Sequence, residues 1–354
     1  MRTALLESEG RLVLADLEPP AIQSTDQLLI QVKTVGICGS EVHAYRGTHP
    51  FRKAPTVLGH EAAGVVSAVG EAVTHFEPGD RVIVDPQWVC GECAHCLAGD
   101  INLCPSKRVL GTPAWPGAFG EYIVAPEEAV FLLPDHLSYV QGSLIEPLTV
   151  AVHIARRAGL RSGESVAVLG TGSIGGMVAG VSSAIGADPI IVADIRQHCL
   201  DAARERLGAT HDILLPSKDL AEEVRALTHG EGVDVVFLTA DDASLASTAV
   251  EMAKRRGRIT VVALMTAEPM QLPAYSILSR ELHVIGSTMC NNEDVREAID
   301  LARSGQVDVE AIATHVLPIE QAQRGIELAR TKDDNAIKVI LSFEEASARP
   351  RMGG

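Results

Sequence analysis

Residues 165–194 read SVAVLGTGSIGGMVAGVSSAIGADPIIVAD, and the order of residue types in this stretch decides how the rest of the chain is organised. Val166 to Leu169 is an apolar run short enough for a strand buried on both faces. Gly170, Gly172 and Gly175 follow in G-x-G-x-x-G spacing, and from Ile174 to Ile185 only apolar and small residues occur. That segment suits a helix packed on a sheet, and the apolar run after Pro189 supplies a second strand ending at Asp194. In a strand–turn–helix–strand unit the three glycines provide a tight turn, close backbone approach to a pyrophosphate, and tight helix packing. The helix N-terminus, at Ser173 and Ile174, offers unpaired N–H groups to the anion. Asp194 is placed to accept hydrogen bonds from an adenosine ribose, and its charge favours NAD over NADP by repelling a 2′-phosphate. Arg196, two residues on, is a further cofactor-binding candidate. A membrane span from Ser165 to Ala187 is disfavoured by six glycines and by the change from strand to helix periodicity.

Downstream, strand and helix patterns alternate. Pro189–Asp194, His211–Leu215, Val233–Thr239, Arg258–Leu264 and Leu282–Gly286 join Ser165–Leu169 as six strands, the number a doubly wound parallel sheet requires. A helix is expected over Asp294–Ser304 and a last strand over Ala336–Leu341. Upstream, the first 150 residues read mainly as short strands and glycine-rich turns, among them Leu28–Val35, Ala62–Val69 and Arg81–Val84. Helix begins near Ser138, breaks at Glu146-Pro147 and resumes to Gly159.

At 354 residues the chain can form two domains with substantial cores. Thirty basic against 46 acidic residues, a net charge of -16, exclude nonspecific binding to nucleic acid or anionic membrane. Glu7, Glu9, Arg11 and Asp16 interrupt the N-terminal apolar pattern, so no signal peptide is read there and a cytoplasmic location is expected.

Four of the seven cysteines lie within fifteen residues, as Cys90, Cys93, Cys96 and Cys104, spaced C-x2-C-x2-C-x7-C. Four thiolates on one small loop can close a tetrahedral shell around zinc with no position open to substrate, which describes a structural site. An iron–sulfur cluster and reduced, metal-free thiols are the alternatives. A second group is dispersed: Cys38, His60 with Glu61, and Glu146. Cysteine, histidine and carboxylate together make a plausible open zinc site, with one position left for water or an alcohol.

Gly59-His60-Glu61, Gly64, Gly70 and Val73 resemble the G-H-E-x2-G-x5-G-x2-V signature of zinc-containing medium-chain alcohol dehydrogenases. Cys38-Gly39-Ser40-Glu41-Val42-His43 is similar to their C-G-[ST]-D-x-H segment, and the four-cysteine loop and nucleotide-binding unit follow in the family's order. The resemblance covers nearly the whole chain. It implies an α/β architecture: a mainly β, GroES-like catalytic domain over 1–150 with the structural-zinc loop at 90–104, an inserted Rossmann domain over 151–291, and a return to the catalytic domain over 292–354.

Carried over residue by residue, the resemblance implies that Cys38 and His60 bind a catalytic zinc, with either Glu61 or Glu146 as the third protein ligand. Two zinc ions per chain and NAD are the implied cofactors. The implied reaction moves a hydride between a secondary alcohol (a polyol, sugar alcohol or vicinal diol) and NAD, with Ser40 and His43 relaying the alcohol proton outward. Glu146 and Tyr45 resemble polyol dehydrogenases, whereas Met289 and Cys290 stand where sorbitol dehydrogenases carry arginine and tyrosine. Ile285-Gly286-Ser287 with Asn292-Glu293-Asp294 is nearer to butanediol-type members. Trp115 and Phe119, in the loop before a strand, are candidates either to line a cleft or simply to pack in a core. A threonine-type dehydrogenase and a noncatalytic nucleotide-binding relative are the alternative functions. The partner expected is a small alcohol or ketone, with neither nucleic acid nor membrane, and family habit implies a homodimer or homotetramer.

Overall fold

Val166–Leu169, Ile190–Asp194 and Val233–Leu238 are buried almost throughout, as apolar runs without alternation demand, and they pair in parallel. In the computed structural model, which describes residues 1–217, 219–263 and 269–344, these strands belong to one of two compact units. That unit runs from Pro147 to Ile312; the other joins Met1–Glu146 to the chain from Ala313 onward.

The 147–312 unit holds six parallel strands in the order His211–Leu214, Ile190–Asp194, Val166–Leu169, Val233–Leu238, Ala253–Val261 and His283–Gly286. Strand order reverses direction between Val166–Leu169 and Val233–Leu238, the switch point at which an open α/β sheet presents a crevice to ligands. The fifth strand begins five residues before the expected Arg258 and is described to Val261; Leu264 lies outside the described residues. Helix Ser173–Ile185 follows the glycine turn and is closed by Gly186 at φ +88°.

Helix Asn292–Arg303 opens with a capping box of Asn291 and Asp294. Its buried Asp294 Oδ2 lies 2.7 Å from His153 Nδ1, and Arg156 reaches Glu293 at 2.7 Å. These contacts attach the helix to the nucleotide-binding unit, so the chain returns to the first unit at Ala313 and not at 292 as expected.

In the other unit, strand Gln27–Ile37 lies at the centre of a seven-stranded sheet, pairing antiparallel with Glu61–Val69, Tyr122–Pro126 and Lys338–Ser342. Three consequences follow for function. Cys38 emerges directly from the central strand, Gly36 stands opposite Glu61, and Ile37 opposite Val339, next to Lys338. Residues distant in sequence are thereby gathered at one end of neighbouring strands.

The expected helix break moves. Helix Tyr139–Ser143 ends at Leu144, and Ile145–Ala158 then runs continuously with Glu146 and Pro147 in its first turn. Pro147 is tolerated there because first-turn N–H groups have no intrahelical partner. Glu146 is therefore helical, positioned by a helix start and not by an extended pre-proline residue. Among the described residues, no helix is long and apolar enough to cross a membrane.

Candidate zinc and cofactor sites

Helix Gly39–Tyr45 carries much of the chemistry, and its start explains why. Cys38 is its N-cap, and Glu41 at the third helical position reaches back so that Oε2 accepts from the Cys38 N–H at 2.9 Å. Ser40 and His43, three apart, share one face, while Glu41 and Tyr45, four apart, share the buried one. Among the described residues, Ser40 Oγ is buried without a hydrogen-bond partner, and His43 Nδ1 lies 3.2 Å from Thr48 Oγ1.

Glu41 is fully buried, and its Oε1 lies 2.5 Å from His60 Nδ1 and 2.8 Å from Arg52 Nη1. Burial alone would raise the Glu41 carboxyl, but His60, Arg52 and the Cys38 N–H outweigh it and bring it to about 2. Burial and Arg52 push the His60 imidazole down, yet Glu41 and Cys38 hold it well above its ordinary value. With Nδ1 engaged by Glu41, Nε2 is the nitrogen left for a metal.

Cys38, Glu41 and His60 bring ligand atoms within 4.8 Å of one another, as do His60, Glu61 and Glu146. The two carboxylates at His60 differ. Glu61 is gripped by the buried Lys338, whose Nζ donates at 2.6 Å to Oε1 and 2.8 Å to Oε2. A Cβ on Gly36 would fall 1.9 Å from Glu61 Oε2, so the bare backbone opposite makes the space for that pairing. Burial pushes Lys338 down, but Glu61 and Cys38 carry it above its ordinary value. Glu146 has no such partner: among the described residues its carboxylate makes no hydrogen bond or ion pair, and burial raises it to about 7. Thiol, imidazole and an uncommitted carboxylate suit borderline-soft zinc.

The four-cysteine loop also fits zinc. Its sulfurs lie within 4.8 Å of one another, with Cys90 Sγ 3.9 Å from Cys96 Sγ and 3.6 Å from Cys104 Sγ. A tetrahedron with Zn–S bonds of about 2.3 Å has edges of about 3.8 Å.

In the other unit, Gly170 adopts φ +92°, and a Cβ on Gly175 would fall 1.9 Å from the Gly170 carbonyl oxygen. A Cβ on Gly172 would meet open space, the property wanted where backbone must admit a pyrophosphate. Gly172 caps helix Ser173–Ile185, leaving the N–H groups of Ser173 and Ile174 in its first turn. Asp194 closes its strand as expected; its Oδ2 accepts from the Thr171 N–H at 2.7 Å and its Oδ1 from the Arg196 N–H at 2.9 Å. The Arg196 guanidinium lies 3.9 Å from the same carboxylate.

Tyr45, Trp115 and Phe119 are all committed to packing or structural hydrogen bonds. The Tyr45 hydroxyl is spent on structure: it lies 2.6 Å from the Gly10 carbonyl and 2.5 Å from Glu327, pinning helix Ala322–Thr331. Phe119 is wholly buried against Gly59, and Trp115 donates its indole N–H to the Val124 carbonyl at 2.8 Å, so both pack a core and do not line a cleft. Arg52, Lys338 and the role of Glu41 were missed. A lone lysine within the apolar run Ala336–Leu341 was a readable signal, because a buried lysine needs a partner.

His49 is buried beside this cluster, its Nδ1 accepting from the Arg52 N–H at 3.1 Å. Burial first, and Arg52 second, depress its imidazole from 6.5 to about 4. The unfolded chain takes up that proton earlier than the folded one, so this contribution to stability is lost as pH falls from 6.5 towards 4. His49→Gln should flatten that part of a Tm-against-pH profile; an unchanged slope would mean His49 is solvated.

Residues 24–135 match the alcohol dehydrogenase GroES-like domain, and residues 173–304 match the zinc-binding dehydrogenase domain. Sorbitol dehydrogenase of Bacillus subtilis is 36% identical over 345 residues, covering 96% of this chain and 97% of its own. D-xylulose reductase A of Aspergillus niger is 36% identical over 350 residues, covering 96% and 95%. An Escherichia coli alcohol dehydrogenase solved with NADH superposes with a TM-score of 0.90 at 31% identity, over 97% of this chain and 99% of that one. With a GroES-like unit, a doubly wound unit and two donor sets fit for zinc, the chain belongs to the zinc-dependent medium-chain alcohol dehydrogenase family, in its sorbitol dehydrogenase-like branch.

Proposed function

We propose that this protein oxidises a secondary hydroxyl of a polyol or vicinal diol with NAD, at a zinc held by Cys38, His60 and Glu146. The observation that carries the reading is the buried His60, whose ligand atoms lie within 4.8 Å of the Cys38 thiol on one side and of the unpaired Glu146 carboxylate on the other. Glu61, already neutralised by Lys338, supports the site from behind and is not a direct ligand in this assignment. Zinc, when bound, supplies a Lewis acid that eases loss of the alcohol proton, and NAD accepts the hydride. Ser40 Oγ would accept that proton while its own hydroxyl proton moves on towards His43, which releases a proton to solvent.

Asp194 carries the preference for NAD, since its negative charge at the end of the second strand would repel a 2′-phosphate. Cys90, Cys93, Cys96 and Cys104 hold a structural zinc that takes no part in the chemistry. The sorbitol and xylulose relatives support a hydroxyl-rich substrate. Met289 and Cys290, in place of the arginine and tyrosine of sorbitol dehydrogenases, shift the choice towards shorter polyols and vicinal diols. The protein works as a cytoplasmic homo-oligomer, dimer or tetramer; His283–Gly286 is an edge strand of its sheet, and Tyr275, Leu278 and Val284 are exposed close to it in sequence.

The test is NAD reduction by zinc-replete protein across polyols, vicinal diols, threonine and simple secondary alcohols, with NADP in parallel. A diol or polyol with NAD should give the largest kcat/KM. A simple secondary alcohol or threonine winning would overturn the substrate class, and NADP winning would overturn the role given to Asp194.

A further inference from the structure

We propose that Arg52 is a positioning residue for the catalytic zinc, holding Glu41 so that one carboxylate aligns both His60 and Cys38; this inference rests on the zinc reading above. Arg52 lies on the loop after helix Gly39–Tyr45 and is 3% exposed. Its Nη1 donates to Glu41 Oε1 at 2.8 Å and lies 3.2 Å from His60 Nδ1. Two donors thus converge on Oε1, while Oε2 accepts from the Cys38 N–H at 2.9 Å. Both oxygens of the carboxylate are anchored, which fixes its rotation and, through it, the plane of the His60 ring and the start of the Cys38 helix.

The berth for the guanidinium is built for it. The Arg52 N–H is tied to His49 Nδ1 at 3.1 Å, and a Cβ on Gly111, itself at φ +83°, would come within 2.6 Å of Nη1. Stability alone does not account for this arrangement. Replacing a buried ion pair by apolar residues is often neutral or favourable, and here the Arg52 Nε is buried with no acceptor. The feature that an apolar residue could not supply is a fixed donor at Oε1. Without it, Glu41 is left with only His60 and Cys38, the two groups it has to align, and no independent donor fixes its orientation.

The experiment compares wild type, Arg52→Met and Arg52→Gln by chelator competition for zinc and by the absorption of the cobalt-substituted protein, which reports geometry at the Cys38 thiolate. Both variants should keep the zinc of the four-cysteine loop and lose about 10- to 100-fold in affinity at the second site. The cobalt bands should shift, Arg52→Lys should recover part of the loss, and adding Glu41→Gln to Arg52→Met should cost less than the two separate losses combined. Wild-type affinity with unshifted bands in Arg52→Met would overturn the role. If Arg52→Met sheds both metals by unfolding, Arg52→Gln decides, and wild-type behaviour there overturns it equally. A wild-type protein that binds one zinc per chain overturns the underlying site reading instead, so the two failures are distinguishable.

Discussion

Lys338→Met is expected to lower folding stability by about 3 to 5 kcal/mol, because it strands the Glu61 carboxylate as an unpaired buried charge. The two side chains are 2% and 0% exposed, so water cannot replace the lost partner. The pairing joins strand Lys338–Ser342, late in the chain, to Glu61–Val69 across the central strand. Denaturant unfolding measures the loss directly, through a fall in midpoint without a change in slope. Glu61→Gln combined with Lys338→Met should recover most of it, since neither charge then remains. A loss below about 1 kcal/mol in the single variant would mean that the pair is solvated and behaves as a surface ion pair.

Glu146→Gln should have the largest effect on metal loading. The change keeps the shape of the side chain and removes the one carboxylate at His60 that no cation neutralises. Loss of a direct ligand should exceed the roughly 10- to 100-fold that outer groups cost, and NAD-linked turnover should fall with zinc content. The sign of the pH dependence follows from burial, which raises the metal-free carboxyl to about 7. Below that pH zinc must displace a proton from Glu146, so affinity rises with pH through the window; in Glu146→Gln this part of the rise disappears. Glu61→Gln should instead show itself first as instability, through the abandoned Lys338. If Glu61→Gln strips the zinc and Glu146→Gln leaves it bound, the two glutamates have the opposite roles.

Much of this was legible before any coordinates. Spacing carries the nucleotide unit, because Gly170, Gly172 and Gly175 act through backbone geometry that is local in sequence. The four-cysteine loop is local in the same sense. The surroundings of the second zinc site were not legible. Lys338 lies 277 residues from Glu61, and only the pairing of strands through Gln27–Ile37 makes them neighbours. Arg52 looked like one more charge on a loop, since nothing in its spacing reveals that Gly111 vacates a buried berth for it. Pro147 misled for a different reason: a proline breaks a helix interior but is at home in a first turn, and sequence alone did not say which turn this was. Tyr45 resembles a polyol-dehydrogenase feature by sequence, yet its helix face sends it into the core.

On the proposed ligand set, the pairing of Glu61 with Lys338, and of Glu41 with Arg52, would also determine which ions the pocket accepts. Each pair is electrically neutral, so with a metal bound at the proposed ligands the charge left to compensate would be that of Cys38 and Glu146. A dication brings that enclosed region to electroneutrality, whereas a monovalent ion would leave a buried negative charge and a trivalent one a positive charge. Valence would thus be selected by the fixed pairs around the proposed ligands, and the sulfur and imidazole donors would then choose among the dications, against magnesium and calcium and in favour of zinc or cobalt.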